Sequence, residues 1–280
     1  MFAHTRPVSW TFIALFLVVQ IVFSLVTNFV IFASDVFDPI IKATQGLINI
    51  TLIANLIGLV LIPGILFLLV ARLRPANLGL LPEKVGSGVL VTLLIWGLAQ
   101  VFGLIAALTL TGEAQISSHW SQSGTPFVLG LLAGQLFGNA LLEEIEFRGF
   151  LLPQLYHRLR IDDRRRKLAL AILLSTLIFT LLHLPNRIAM GYSVAEFAPS
   201  LAFAALFGFV FCAIYISTGN LFIATGVHAL VNAPTMLVDG TIPGVAFIVL
   251  ASIVVLALSA AVRRASRPPS VSPQTFGIDG

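Results

Sequence analysis

Apolar residues in this chain come in long unbroken runs rather than alternating with polar ones. Eight runs stand out, at 10–32, 47–71, 89–111, 127–142 with a charged continuation, 168–184, 199–217, 221–237 and 242–262. A helix rises 1.5 Å per residue and needs about 20 apolar residues to cross a bilayer. The pattern therefore predicts an all-α protein, a polytopic membrane bundle of about eight transmembrane helices. The first run exceeds 20 residues, whereas a signal-peptide core spans about 7–15, so it reads as an uncleaved first span. No domain boundary or internal repeat interrupts 1–265, which read as one transmembrane bundle. Residues 266–280, rich in Pro and Ser, read as a disordered tail.

Composition agrees with the pattern. The chain has 280 residues, 58% hydrophobic and only 10% charged, with a mean hydropathy of +1.01. Soluble domains carry about 25% charged residues. The net charge of +4 does not argue for nucleic acid, because the basic residues lie between the apolar runs. If the N-terminus is cytoplasmic, eight crossings place Arg6, Arg72, Arg74, Lys84, Arg158, Arg160, Arg164, Arg165, Arg166, Lys167, Arg263, Arg264 and Arg267 inside. Only Lys42 and Arg187 fall outside, with Arg148 set apart. That asymmetry is the positive-inside pattern. It predicts a multi-pass protein of the plasma membrane with both termini cytoplasmic. The single cysteine, Cys212, lies in an apolar run and can form no internal disulfide.

Polar side chains inside the runs are the next signal, because an ionisable group in hydrocarbon costs at least about 2.5–3.5 kcal/mol on insertion scales. Glu143-Glu144-Ile145-Glu146-Phe147-Arg148-Gly149 closes the fourth run. On a regular helix, at about 100° per residue, Glu144 and Arg148 share a face and can pair. Glu143 points away from that pair and is left free for other work. Glu146 lies between faces, nearer Glu143. His183 follows Phe179 by one turn in the fifth run, and His228 and Asn232 lie one turn apart in the seventh. Each has a plain structural explanation: a span ending in water, a satisfied packing histidine, or hydrogen bonds between helices. Gly130, Gly134 and Gly138 share a face of the fourth run and predict close helix packing.

Measured from the basic ends of their helices, Glu143 and His183 lie at similar depths, roughly 22 and 24 Å at 1.5 Å per residue. Pro153 is expected to bend the fourth helix past Gly149. His228 follows Leu221 by only seven residues. That requires either a Gly219-Asn220 turn sunk into the protein or a tilted, water-filled funnel.

Two histidines, a carboxylate and an amide in one cavity suit hydrolysis. A carboxylate can take a proton from water, a histidine can orient that water, and a second histidine with an amide can stabilise an oxyanion. No serine or cysteine nucleophile stands out. His-Glu-x-x-His is absent, but Glu143, His183 and His228 could still form a two-histidine, one-glutamate zinc shell.

Glu143-Glu144-x-x-x-Arg148, Phe179-x-x-x-His183 and His228-x-x-x-Asn232, in this order and over consecutive runs, resemble the CAAX protease and bacteriocin-processing (CPBP) family, also called Abi. That family comprises CAAX prenyl endopeptidases and bacteriocin-processing or self-immunity membrane proteins. Phe147-Arg148-Gly149 and His183-Leu184-Pro185 fit its flanks. The resemblance covers about 127–237, and the first three runs carry no signature. It implies an intramembrane endopeptidase in which Glu143 and His183 activate water and His228 and Asn232 form the oxyanion hole. Glu144, Arg148 and Phe179 are supporting residues. It implies no cofactor if the family is glutamic, or zinc if metallo-type. The partners implied are membrane lipid and a protein or peptide substrate, such as a C-terminal segment. No residue here points to a prenyl group, and Glu146 has no implied role. Two other readings compete: a non-catalytic immunity or scaffold protein on the same fold, and a proton-coupled carrier. The absence of a repeat argues against the carrier.

Overall fold

A computed structural model describes residues 2–265, so the tail expected over 266–280 lies outside the described residues. The described chain is helical, and its one β-type contact is an isolated bridge between Ile116 and Val238. Seven helices are long and apolar enough to cross a membrane. We number the helices of the bundle α1 (Trp10–Ile31), α2 (Ile50–Val70), α3 (Pro82–Thr111), α4 (Thr125–Arg158), α5 (Arg164–Leu181), α6 (Val194–Thr218), α7 (Leu221–Asn232) and α8 (Gly244–Ala265). The protein is an all-α, integral membrane bundle.

The exception in length is α7. The sequence run 221–237 reads as one span, but the helix stops at Asn232 because Ala233 precedes Pro234. A residue before proline is disfavoured in the α region, and Ala233 adopts φ −137°, ψ 79°. Twelve helical residues rise only about 18 Å. The segment runs along α3 from Lys84 to Gln100. At its start the Asn220 side chain donates to the Lys84 carbonyl and the Ser87 hydroxyl, both at 3.0 Å. Gly226 lies against Thr92. Beyond the helix, Trp96 Nε1 donates to the Thr235 hydroxyl at 3.1 Å and Leu237 N–H to Gln100 Oε1 at 2.8 Å. Ser117 N–H reaches the Leu237 carbonyl at 2.9 Å. Non-helical chain thus continues α7 along α3, and at membrane depth such backbone is tolerated where protein or a cavity surrounds it.

The Gly219-Asn220 turn is half sunk: Gly219 is exposed and Asn220 is buried. Asn220 is 2% exposed. The short turn Pro75–Leu78 pushes into the bundle beneath α4, where the Leu78 carbonyl lies against Gly149. A side chain at Gly149 would collide with it. The loop beyond α7 is pinned to the one before α4: Ser118 N–H donates to Asp239 at 2.9 Å. That bond holds the exposed Asp239 carboxyl below its ordinary value. Its contribution is present above the unfolded aspartate value and is lost as pH falls through the lowered one.

The glycine face of α4 packs as expected, against the start of α2 and the turn before it. Asn49 Nδ2 donates to the Gly130 carbonyl at 2.7 Å. A Cβ on Gly134 would meet the Asn49 amide at 2.9 Å, and one on Gly138 would meet Asn55 at 3.3 Å. A Cβ on Gly130 would strike the Gly46 carbonyl, and that backbone cannot yield as a flexible side chain would. Gly130→Ala is therefore expected to destabilise the protein by about 1–3 kcal/mol, read as a lower melting temperature in detergent.

Two stretches of α4, Gln135–Asn139 and Glu144–Leu151, are π-helical. Such wide turns are frequent at functional sites. They change the regular spacing assumed from the sequence. They also carry α4 unbroken to Arg158, because the register shift comes just before Pro153. The bend expected at that proline does not end the helix. Two apolar cores flank this part of α4. One is built around Phe16, Phe67 and Phe150, and the other around Ile95, Phe211 and Ile248.

Candidate active site

At the junction of the two cores, four polar side chains form a chain. Arg148 is completely buried, and its Nη1 lies 3.1 Å from Glu144 Oε1. Its Nη2 donates to the Gly208 carbonyl at 3.0 Å. The guanidinium is set between two rings, 4.6 Å from the Phe179 centroid and 5.3 Å from that of Phe211. A cation over aromatic faces is attracted by the ring quadrupole, more so when desolvated. The Glu144–Arg148 pair expected from the helix spacing is therefore present, and Phe179 supports it.

The same Glu144 oxygen lies 2.8 Å from His228 Nδ1. On the other side of the imidazole, Nε2 is 3.5 Å from Glu143 Oε2. His228 is stacked on Phe211, with centroids 4.2 Å apart. Glu143 was expected to be independent of the Glu144–Arg148 pair. Directly it is, but the imidazole joins the two, which no wheel drawn on one helix could reveal. Glu143, His228, Glu144 and Arg148 form one line from α4 to α7 and back.

Glu143 is also where this line meets open space. It lines a cavity of about 520 Å³ together with His183, Asn232 and Phe179. His183 Nδ1 is 2.8 Å from the Phe179 carbonyl. A carbonyl oxygen only accepts, so Nδ1 carries the proton and Nε2 is the nitrogen left to the cavity. Asn232 Nδ2 donates to Gln135 Oε1 at 3.0 Å, and Asn139 Nδ2 donates to the same oxygen at 3.3 Å. An amide nitrogen has two N–H groups, so Asn232 retains one.

The structure thus gathers Glu143, His183 and Asn232 on one cavity wall and sets His228 behind Glu143, off that wall. Both imidazole nitrogens of His228 face carboxylates, whereas Asn232, one turn later on α7, lines the cavity. Glu146 is fully buried, with neither carboxylate oxygen hydrogen-bonded within the protein, and it does not line the cavity. Gln135 and Phe211 were not anticipated. For Gln135 the signal existed: Gln135, Asn139 and Glu143 recur every four residues in an apolar run. For Phe211, one of 22 phenylalanines, no signal distinguished it.

The zinc set expected as an alternative, Glu143, His183 and His228, can be tested on donor geometry. Among the described residues, no group of three or more His, Cys, Asp or Glu side chains gathers around a point that could hold a metal. His228 is also enclosed between two carboxylates. This arrangement does not fit a three-residue ligand shell.

Residues 125–234 match the sequence profile of the family described as Type II CAAX prenyl endopeptidase Rce1-like. No curated protein and no solved structure matches the chain. All three motifs fall within the matched residues.

Proposed function

We propose that this chain, whose residues 125–234 match the Rce1-like family of type II CAAX prenyl endopeptidases, is an intramembrane endopeptidase using Glu143 to activate water. One observation carries the reading: Glu143 stands at the point where the buried line of His228, Glu144 and Arg148 meets the cavity shared with His183 and Asn232.

Burying a net charge is costly, whereas a neutral, hydrogen-bonded set is tolerated. Two carboxylates, one guanidinium and a single proton held between Glu143 and His228 sum to zero. With that proton on His228, Glu143 is an anionic base facing the cavity. It takes a proton from a water molecule whose second hydrogen is accepted by His183 Nε2. The water oxygen attacks the substrate carbonyl carbon, and the free Asn232 N–H donates to the developing oxyanion. The proton taken by Glu143 then passes to the leaving amine as the C–N bond breaks. Glu144 and Arg148 act through His228 by fixing its orientation, as positioning residues.

The same reading makes the enzyme glutamic in type. It is supported by the arrangement of Glu143, His183 and His228, which does not fit a metal shell. Activity of protein stripped by chelator and shown to be metal-free by elemental analysis is expected to equal that of untreated protein. Loss on stripping, with recovery on adding zinc alone, would move the assignment to the metallo class. His183→Ala is expected to lower kcat about 10²–10⁴-fold, with an unchanged melting temperature, since the ring is only partly buried at the cavity edge.

The substrate proposed is a polypeptide segment reaching the membrane, such as a protein C-terminus, with a prenylated C-terminus as the first candidate from the family's description. Both termini are assigned to the cytoplasmic side of the plasma membrane. Clustering of basic residues at one end of the bundle supports this. There Arg6 Nη1 donates to the Arg72 carbonyl at 3.0 Å, and Arg158 Nε donates to the Val8 carbonyl.

A further inference from the structure

The cavity has a second wall, facing Glu143 and His183 from helices that carry no motif. It is built from Gln20, Ser24, Thr27 and Asn28 of α1 with Thr51 and Asn55 of α2. Three of these six side chains are engaged within the protein. Asn28 Nδ2 donates to the Ser24 carbonyl and Asn55 Nδ2 to the Thr51 carbonyl, both at 2.8 Å. The Ser24 hydroxyl donates to the Leu182 carbonyl at 3.4 Å.

Two are not. Gln20 and Thr27 are each only 7% exposed, yet Gln20 Oε1 and Thr27 Oγ1 have no hydrogen-bond partner in the protein. The Thr27 hydroxyl, like that of buried Thr176, lacks the usual local bond. Thr92, Thr180 and Thr225 donate theirs to the carbonyl four residues earlier, at 2.9, 2.9 and 3.1 Å. Thr27 does not, and the Asn28 amide occupies the nearby Ser24 carbonyl. Buried polar groups are nearly always paired, and each exception calls for an explanation. Gln20 and Thr27 both line the cavity that holds the proposed base.

A peptide can be hydrolysed there only if its chain is extended past Glu143. Every N–H and C=O it brings out of water then needs a partner. The other polar side chains lining the cavity, Gln135, Asn139, Asn186 and Arg187, are engaged with protein partners. Gln20 and Thr27 lie seven residues apart, about 10 Å along α1 at 1.5 Å per residue. That is the length of about three residues of extended chain at roughly 3.3 Å each.

We infer that α1 and α2 form a backbone-binding wall of this cavity, in which the Gln20 carbonyl and the Thr27 hydroxyl accept hydrogen bonds from N–H groups of an extended polypeptide substrate. The inference rests on the proposed protease function. It makes Gln20 and Thr27 binding residues with no part in the chemistry, indifferent to substrate side chains.

The test uses full-length protein in liposomes. The probes are a fluorescence-quenched farnesylated CAAX peptide and its unprenylated twin. Gln20→Leu/Thr27→Val is expected to raise KM about tenfold or more, from two lost hydrogen bonds of about 1 kcal/mol each. It should leave kcat within about twofold and the melting temperature unchanged or higher, since two unpaired buried groups are gone. Gln20→Leu/Thr27→Ser, which keeps one hydroxyl, should recover part of the KM. An unchanged KM in the double variant, with wild-type cleavage intact, overturns this inference alone. So does a lower melting temperature or failure to fold, which would make the two residues structural. Failure of the wild-type protein to cleave either peptide would instead remove the protease reading, and this wall with it.

Discussion

Glu143→Gln is expected to reduce peptide cleavage by roughly 10²–10⁴-fold, the range supplied by a positioned general base, while the protein remains folded. The amide nearly matches the carboxylate in shape, so cavity packing should be kept. What disappears is, among the described residues, the only carboxylate that both lines the cavity and contacts the His228 imidazole. KM should change little, because in the proposed mechanism Glu143 handles water and not substrate. A fall confined to kcat is the pattern of an interaction made in the transition state. Because substrate binding survives, this variant is also suited to trapping bound substrates in membranes.

The second large effect concerns stability. Arg148→Met is expected to cost about 3–5 kcal/mol, the usual penalty for leaving the partner of a buried ion pair uncompensated. Glu144 would keep only the His228 contact, and the Gly208 carbonyl would lose its donor. Adding Glu144→Gln to the same protein should recover much of the melting temperature, since the stranded charge is then removed. Activity should not return, because the neutral amide no longer holds His228 as a carboxylate does. If the double variant melts as low as Arg148→Met, the loss comes from packing of the guanidinium between Phe179 and Phe211.

Much of the fold was legible because long apolar runs leave few alternatives in a bilayer. The misread run, 221–237, contained its own correction. Pro234 ends the helix at Asn232, and the remaining chain continues along α3, bonded to Trp96 and Gln100. The Glu144–Arg148 pair was legible from spacing on one helix. The link from Glu143 to that pair was not, because the connecting imidazole belongs to α7. The π turns of α4 were also hidden, since no residue pattern in the run announces i→i+5 bonding. Gln20 and Thr27 look like ordinary polar residues in apolar helices. Their lack of partners is a property of the packed molecule, and only the cavity places them opposite Glu143.

The central claim is that water activated by Glu143, without a metal, hydrolyses a peptide bond in this cavity. Its most direct test is mass spectrometry of the cleavage products formed in ¹⁸O-enriched water by metal-stripped protein in liposomes, given the farnesylated CAAX peptide. Wild-type protein is predicted to release a fragment with one solvent oxygen in its new C-terminal carboxylate, and Glu143→Gln protein is predicted to release none. The same labelled fragment from the Glu143→Gln protein at the wild-type rate would contradict the account.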